Sequence, residues 1–111
     1  MAQKLNLIID QGASFSTTFT VNDDGGNPIN FTGYTGYSQI RKHYTSSNSV
    51  SFNVSLGNDG TVGLTLTSNV TNTMVPGRYV YDVEVVTGII TSRIVEGIVT
   101  VTPQVTRLWL Q

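Results

Sequence analysis

Apolar and polar residues alternate with a period of two along most of this chain. Leu5, Leu7 and Ile9 form a first alternating set, and Phe15, Thr17, Phe19 and Val21 a second. In an extended chain such sets share one face, so each run predicts a half-buried strand. Asn22 to Pro28 breaks the pattern with Asn, Asp, Gly and Pro, residues that accept turn geometry or cannot pair within a sheet. Ile29 to Thr32 predicts a short strand or bend. Tyr34 to Tyr44 predicts a longer strand, with Tyr37, Gln39, Arg41 and His43 on one side and Ser38, Ile40, Lys42 and Tyr44 on the other. After a polar loop from Thr45 to Asn48, Val50, Phe52 and Val54 alternate, then Val62, Leu64 and Leu66. The Asp59-Gly60 pair between them is a hairpin signal.

The segment from Thr67 to Pro76 departs from this period. Val70, Met74 and Val75 recur at near-helical spacing behind Ser68, a residue type that caps helices. One helical turn is predicted there, crossing between sheets and ended by Pro76-Gly77. Tyr79, Tyr81, Val83 and Val85 then alternate with Val80, Asp82 and Glu84, and Thr87-Gly88 marks a tight turn. Val95, Gly97, Val99 and Val101 share one face of a last long strand that ends at Pro103. Gly97 in mid-strand predicts a bulge or the close approach of another backbone. About seven short strands, mixing hairpins with one longer crossover, predict an immunoglobulin-like antiparallel β-sandwich. It forms a single domain over residues 1–103; a small β-barrel is the alternative. Phe15, Phe19, Tyr79 and Tyr81 are the expected core aromatics, and a buried phenol hydroxyl needs a partner.

Composition narrows this picture. Val, Ile, Thr, Tyr, Phe and Trp make up 48 of the 111 residues, against 24 strong helix formers, which argues against a helical bundle. With no cysteine there is no disulfide, no thiolate metal site and no cysteine nucleophile. The formal net charge is −1 and no basic stripe is present, which argues against nucleic acid as a partner. Apolar runs stop at three or four residues, far short of the ~20 that a membrane-crossing helix needs. No membrane partner is expected. Met1 to Asn6 has no apolar core behind its lysine, so no secretory signal is expected either.

Few residues offer catalytic or metal chemistry. His43 is the only histidine. A hydrolase would need it as the base for Ser38, Ser46 or Ser49, yet no Gly-x-Ser-x-Gly elbow is present to activate a serine. Glu84 and Glu96 lie on adjacent strands of one hairpin and would nearly face each other, as a glycosidase pair does. Outward solubility charges, paired with Arg78 or Arg93, are the favoured reading. Asp23, Asp24 and Asn27 in one Gly-rich loop, and Asn58 with Asp59, carry oxygens of the kind calcium takes, without EF-hand spacing or a closing glutamate. Turn chemistry explains them equally well. No metal, no cofactor and no enzymatic activity is expected. The sequons at Asn30, Asn53 and Asn69 arise by chance in a chain this rich in Ser, Thr and Asn.

The C-terminal tail, residues 104–111, holds the only tryptophan between two leucines. Such a segment needs cover. Leu108, Trp109 and Leu110 would dock on a neighbouring subunit, or fold back on their own sandwich. The loops around Asp23, Asp24 and Asn27 and around Asn58 and Asp59 are secondary contact surfaces. The strands are nearly free of lysine, which commonly guards sheet edges. Tyr34, Tyr37 and Tyr44 would form an aromatic platform if they reached one patch.

Five segments, in order, resemble a module of tailed-bacteriophage virion proteins. They are Asp10-Gln11-Gly12-Ala13-Ser14-Phe15-Ser16, Gly26-Asn27-Pro28-Ile29-Asn30-Phe31-Thr32-Gly33-Tyr34, Ser38-Gln39-Ile40-Arg41, Pro76-Gly77-Arg78-Tyr79-Val80-Tyr81-Asp82-Val83 and Val95-Glu96-Gly97-Ile98-Val99-Thr100-Val101. The module is the immunoglobulin-like domain found at the N-terminus of phage baseplate upper proteins and in small free-standing virion proteins. The resemblance implies a structural, non-catalytic role in a virion assembled in the cytoplasm of a bacterial host. Its partners would be other virion proteins, either major capsid or tail and baseplate subunits, with self-association as a further option. In baseplate proteins the module anchors a further region. With the chain ending at Gln111, the expectation falls on an accessory head protein that decorates or cements the capsid. A tail, neck or baseplate component is the alternative in the same class. A carbohydrate- or cell-surface-binding module is the alternative in another.

Overall fold

The computed structural model describes residues 3–105. Its elements are β1 (Gln3–Lys4), β2 (Leu7–Asp10), β3 (Phe15–Thr20), β4 (Thr35–Arg41), β5 (Val50–Ser51), β6 (Asn53–Leu56), β7 (Thr61–Leu66), α1 (Ser68–Thr71), β8 (Gly77–Thr87) and β9 (Ile90–Thr102). One sheet has the order β1-β9-β8-β4-β5, with β2 also on β9, and the other has the order β3-β7-β6. The two sheets keep separate hydrogen-bonded edges, so the protein is a sandwich and not a closed barrel. Nine segments form seven runs. β1 and β2 are one interrupted edge, and β5 and β6 are one run that leaves the first sheet for the second at Phe52. This is an immunoglobulin-like arrangement. One feature departs from a wholly antiparallel sandwich: β1 and β2 run parallel to β9.

The core lies between the sheets. Ile9, Ile40, Val83, Val95, Val99 and Val101 come from the larger sheet, and Val62, Leu64 and Leu66 from the smaller. Alternation carries the argument on β8, where Tyr81, Val83 and Val85 are buried and their neighbours are not. On β4 it resolves the side that the sequence left open. Ser38 and Ile40 point inward, while Tyr37 and Gln39 point to solvent. Of the expected core aromatics only Tyr81 is buried; Phe15, Phe19 and Tyr79 are half-buried against the core. Phe31 and Phe52 fill it instead. Phe31 lies outside the strands, whereas Phe52 continues the Val50, Phe52, Val54 alternation at the point where the chain changes sheets. The Phe52 ring sits 5.8 Å from Phe15 and 6.0 Å from Tyr81.

The helical turn is present and does cross between sheets, but Thr67, not Ser68, occupies its cap position, and no side chain bonds the cap. Met74 and Thr71 are buried and Val75 is exposed. Ile29 to Thr32 is a bend, tied by the Ile29 N–H to the Val21 carbonyl at 3.0 Å. At the corner before β8 the Tyr79 hydroxyl donates to the Val75 carbonyl at 2.6 Å. This is the tyrosine corner of immunoglobulin-like sandwiches.

Gly97 is the site of a close backbone approach. The Leu5 carbonyl oxygen stands where a side chain at 97 would begin. That oxygen accepts the Tyr81 hydroxyl at 2.6 Å. Asn6 Oδ1 then takes the Ile98 N–H at 3.1 Å, replacing the main-chain acceptor lost where β1 and β2 part. The bulge is close by: pairing shifts between Val83 and Glu84, which leaves Ile94 without an opposite residue. Ile94 and Val95 are consecutive and both buried as a result.

Burial pushes the Tyr81 phenol up to about 12 from an ordinary 10.0. The folded chain then holds this proton longer than the unfolded chain does. Stability from this group is complete below pH 10 and is lost as pH rises from 10 toward 12, by about 1–3 kcal/mol once solvent screening is allowed for. Urea unfolding across that range is expected to show the loss. Tyr81→Phe is expected to flatten that portion of the curve.

Candidate functional site

Strand register lays out the solvent face of the larger sheet in rows. Tyr37, Glu84 and Arg93 form one row; Gln39, Asp82, Glu96 and Lys4 the next; Arg41, Val80 and Ile98 a third; Arg78, Thr100 and Ile8 a fourth. The first three rows except Lys4 and Ile98, with Tyr44, border an open depression of about 410 Å³. Glu84 and Glu96 are therefore not opposite each other. Glu84 faces Arg93 in the register set by the hairpin turn, and Asp82 faces Glu96 because of the slip at Ile94. The Lys4 ammonium lies 2.7 Å from Glu96, and Arg93 lies 3.3 Å from both Asp82 and Glu96. Hydrogen bonding and charge from Lys4 hold the Glu96 carboxyl below the ordinary carboxylate range, and Arg93 adds to the effect. The Lys4 ammonium is raised by the same contact. All of these ion pairs are exposed and screened by solvent, so they contribute little to stability.

The expected aromatic platform is incomplete. Tyr37 and Tyr44 border the depression, but Tyr34 packs edge-on against Phe31 with centroids 5.4 Å apart. The serines near His43 are turned to other work. Ser46 Oγ accepts the His43 main-chain N–H at 3.0 Å, and buried Ser38 donates to the Asp82 carbonyl at 2.6 Å.

The two acidic loops meet at one end of the sandwich. The Val21 N–H bonds the Gly60 carbonyl at 2.9 Å, and the Phe31 N–H bonds the Gly57 carbonyl at 3.3 Å. Asp23 Oδ1 accepts the N–H groups of Gly25 and Asn27 at 2.9 and 3.0 Å. Asp59 Oδ1 accepts the Thr61 N–H at 3.2 Å, and hydrogen bonds from Thr61 lower the pKa of its carboxyl. Asp24, Asn27 and Asn58 are exposed there. Both bonded carboxylates thus brace their own turns. Among the described residues no three His, Asp or Glu side chains converge as metal ligands.

Two apolar features escaped the sequence reading. Ile89 and Ile90 crown the β8–β9 hairpin at the same end as the acidic loops, 102% and 62% exposed. The signal was present, since a turn that follows Gly88 with two isoleucines defies the polar preference of turns. Ile8 and Ile98 are the second feature, exposed on neighbouring strands of the larger sheet.

Leu108, Trp109 and Leu110 lie outside the described residues. The described chain ends at the opposite pole from the acidic loops. There the Gln104 N–H bonds Gln11 Oε1 at 3.0 Å and the Gln104 side chain lies against Gly12. Gln104, the first residue of the expected tail, is thus held against the sandwich at the turn before β3. No helix among the described residues is long and apolar enough to cross a membrane.

No protein-family model matches the chain, and no curated protein matches it in sequence. Among solved structures it is similar to InlP of Listeria monocytogenes, at 12% identity over 91% of this chain and 28% of that one, TM-score 0.45. It is also similar to a family 123 glycoside hydrolase from Clostridium perfringens, at 11% identity over 95% of this chain and 24% of that one, TM-score 0.43. The chain thus spans about a quarter of the length of each. Neither likeness bears on what the chain does.

Proposed function

We propose that the protein is a non-enzymatic structural subunit of a tailed-phage virion, an accessory protein of the head shell. The observation that carries an assembly role is the edge of the smaller sheet. β3 is six residues long, ends its sheet among the described residues, and contains no charge, proline or bulge. Monomeric proteins commonly protect such an edge, because its unpaired main-chain groups template association. The phage reading is supported by the five ordered segments, which the fold explains as connected parts. The Gln11–Gly12–Ala13 turn receives the end of β9 and the helical crossover. The Tyr79–Tyr81 strand supplies the tyrosine corner and the pin on Leu5.

The test is cryo-microscopy and composition of purified particles from the phage encoding the chain. Many copies on the shell are expected. Density confined to the tail would move the protein to the neck, tail or baseplate. Complete absence from particles would overturn the virion reading.

A further inference from the structure

We propose that two copies of this chain pair through their β3 edges, joining the two smaller sheets into one continuous six-stranded sheet. The Val21 N–H donates to the Gly60 carbonyl across the end of the β3–β7 pair. With a period of two, the odd-numbered residues of β3 bond toward β7. Ser16, Thr18 and Thr20 therefore turn their main-chain N–H and C=O groups away from β7, and β3 has no other neighbour among the described residues.

The occupant is identified by self-complementarity. Opposed residues of an antiparallel pair share a face, so a two-fold axis must pass through a residue, not between residues. An axis at Thr18 sets Thr18 against its own copy and Ser16 against Thr20. All three outward-pointing residues are then paired, each giving and accepting one bond, for about six hydrogen bonds across the dimer. On the solvent face only hydroxyl side chains meet, a favourable cross-strand combination with no like charges to repel. On the inner face Thr17 meets Phe19, and Phe15 meets Val21. The two rings are half-buried beside the open edge, and the partner strand covers them. The other edge of this sheet among the described residues, β6, offers four residues against the six of β3.

This inference deepens the assembly reading but is tested on the purified chain, so its failure and that of the virion reading are read separately. Sedimentation velocity over a concentration series is expected to show a monomer–dimer equilibrium. Thr18 is exposed, so a charge there is tolerated by the monomer, and circular dichroism checks that it is. Thr18→Lys and Thr18→Glu are each expected to weaken self-association by about tenfold or more. An equimolar mixture of the two is expected to regain the dimer, because opposite charges then meet across the axis. The chain lacking residues 106–111 is expected to dimerise as the full chain does. A wild-type chain that stays monomeric at high concentration overturns the proposal. So does a dimer indifferent to both Thr18 charges, or one lost with residues 106–111.

Discussion

Gly97→Ala is expected to destabilise the fold by about 2–3 kcal/mol, a drop of roughly 10–20 °C in melting temperature for a domain of this size. The added Cβ would fall on the Leu5 carbonyl oxygen, 2.8 Å from the carbonyl carbon and 3.1 Å from Asn6 Oδ1. A flexible side-chain tip could swing aside at little cost, but this obstacle is main chain. It is also held in place from its far side, because Leu5 donates its N–H to Glu96 at 3.0 Å while its carbonyl takes the Tyr81 hydroxyl. Moving the carbonyl breaks the Tyr81 bond and leaves a phenol without a partner beneath β1 and β2. Thermal unfolding measures the loss, and hydrogen exchange at residues 5–10 locates it. A melting temperature within about 2 °C of wild type would mean that the backbone yields easily here, and the account of the interrupted edge would be wrong.

The same small region separates what was legible in the sequence from what was not. A glycine amid β-branched residues announces that something approaches it, and a tyrosine on the core side of a strand announces that its hydroxyl needs a partner. Both signals were readable, and both lead to Leu5. The partner itself was not readable. It depends on β1 and β2 running parallel to β9, a pairing more than ninety positions away along the chain for Ile98 with Asn6. Local patterning also fixed the strands, the β6–β7 turn and the helical crossover, because each is a contest between neighbouring residues. It missed the burial of Phe31, which is decided by how a loop closes over the sheets, and it set Phe52 in an alternating run without marking it as a core aromatic. It also set Glu84 and Glu96 nearly opposite each other, whereas the turn register pairs Glu84 with Arg93 and the slip at Ile94 brings Glu96 opposite Asp82. The surface was the least legible part. β3 could be recognised as a strand from Phe15, Thr17 and Phe19, but whether it sits at an edge is a property of sheet order alone.

Thr71→Val is expected to cost about 1–3 kcal/mol although it conserves shape. Thr71 is fully buried. Its Oγ1 accepts the Gly12 N–H at 3.1 Å and donates to the Ala13 carbonyl at 2.9 Å, with the Ser68 carbonyl at 3.3 Å. Valine fills the same space but removes the partner of the half-buried Gly12 N–H, a loss of about 1–3 kcal/mol, while the Ala13 carbonyl, on an exposed residue, can turn to water. Thr71→Ser keeps the hydroxyl and gives up a methyl, a loss of about 1 kcal/mol. The order expected from urea unfolding is therefore wild type, then serine, then valine. A valine variant more stable than the serine variant would mean that packing, not hydrogen bonding, holds this corner. The consequence extends to assembly, because Gly12 and Ala13 launch β3. Gln11 reinforces them by donating to the Met74 carbonyl at 3.0 Å while its own oxygen takes the Gln104 N–H. If β3 is the pairing edge, the valine variant should lose dimer affinity under conditions where the monomer remains folded. Thr18→Lys should lose that affinity with no change in melting at concentrations dilute enough for the wild type to be monomeric. Comparing the two separates an edge that is misaligned from one that is blocked.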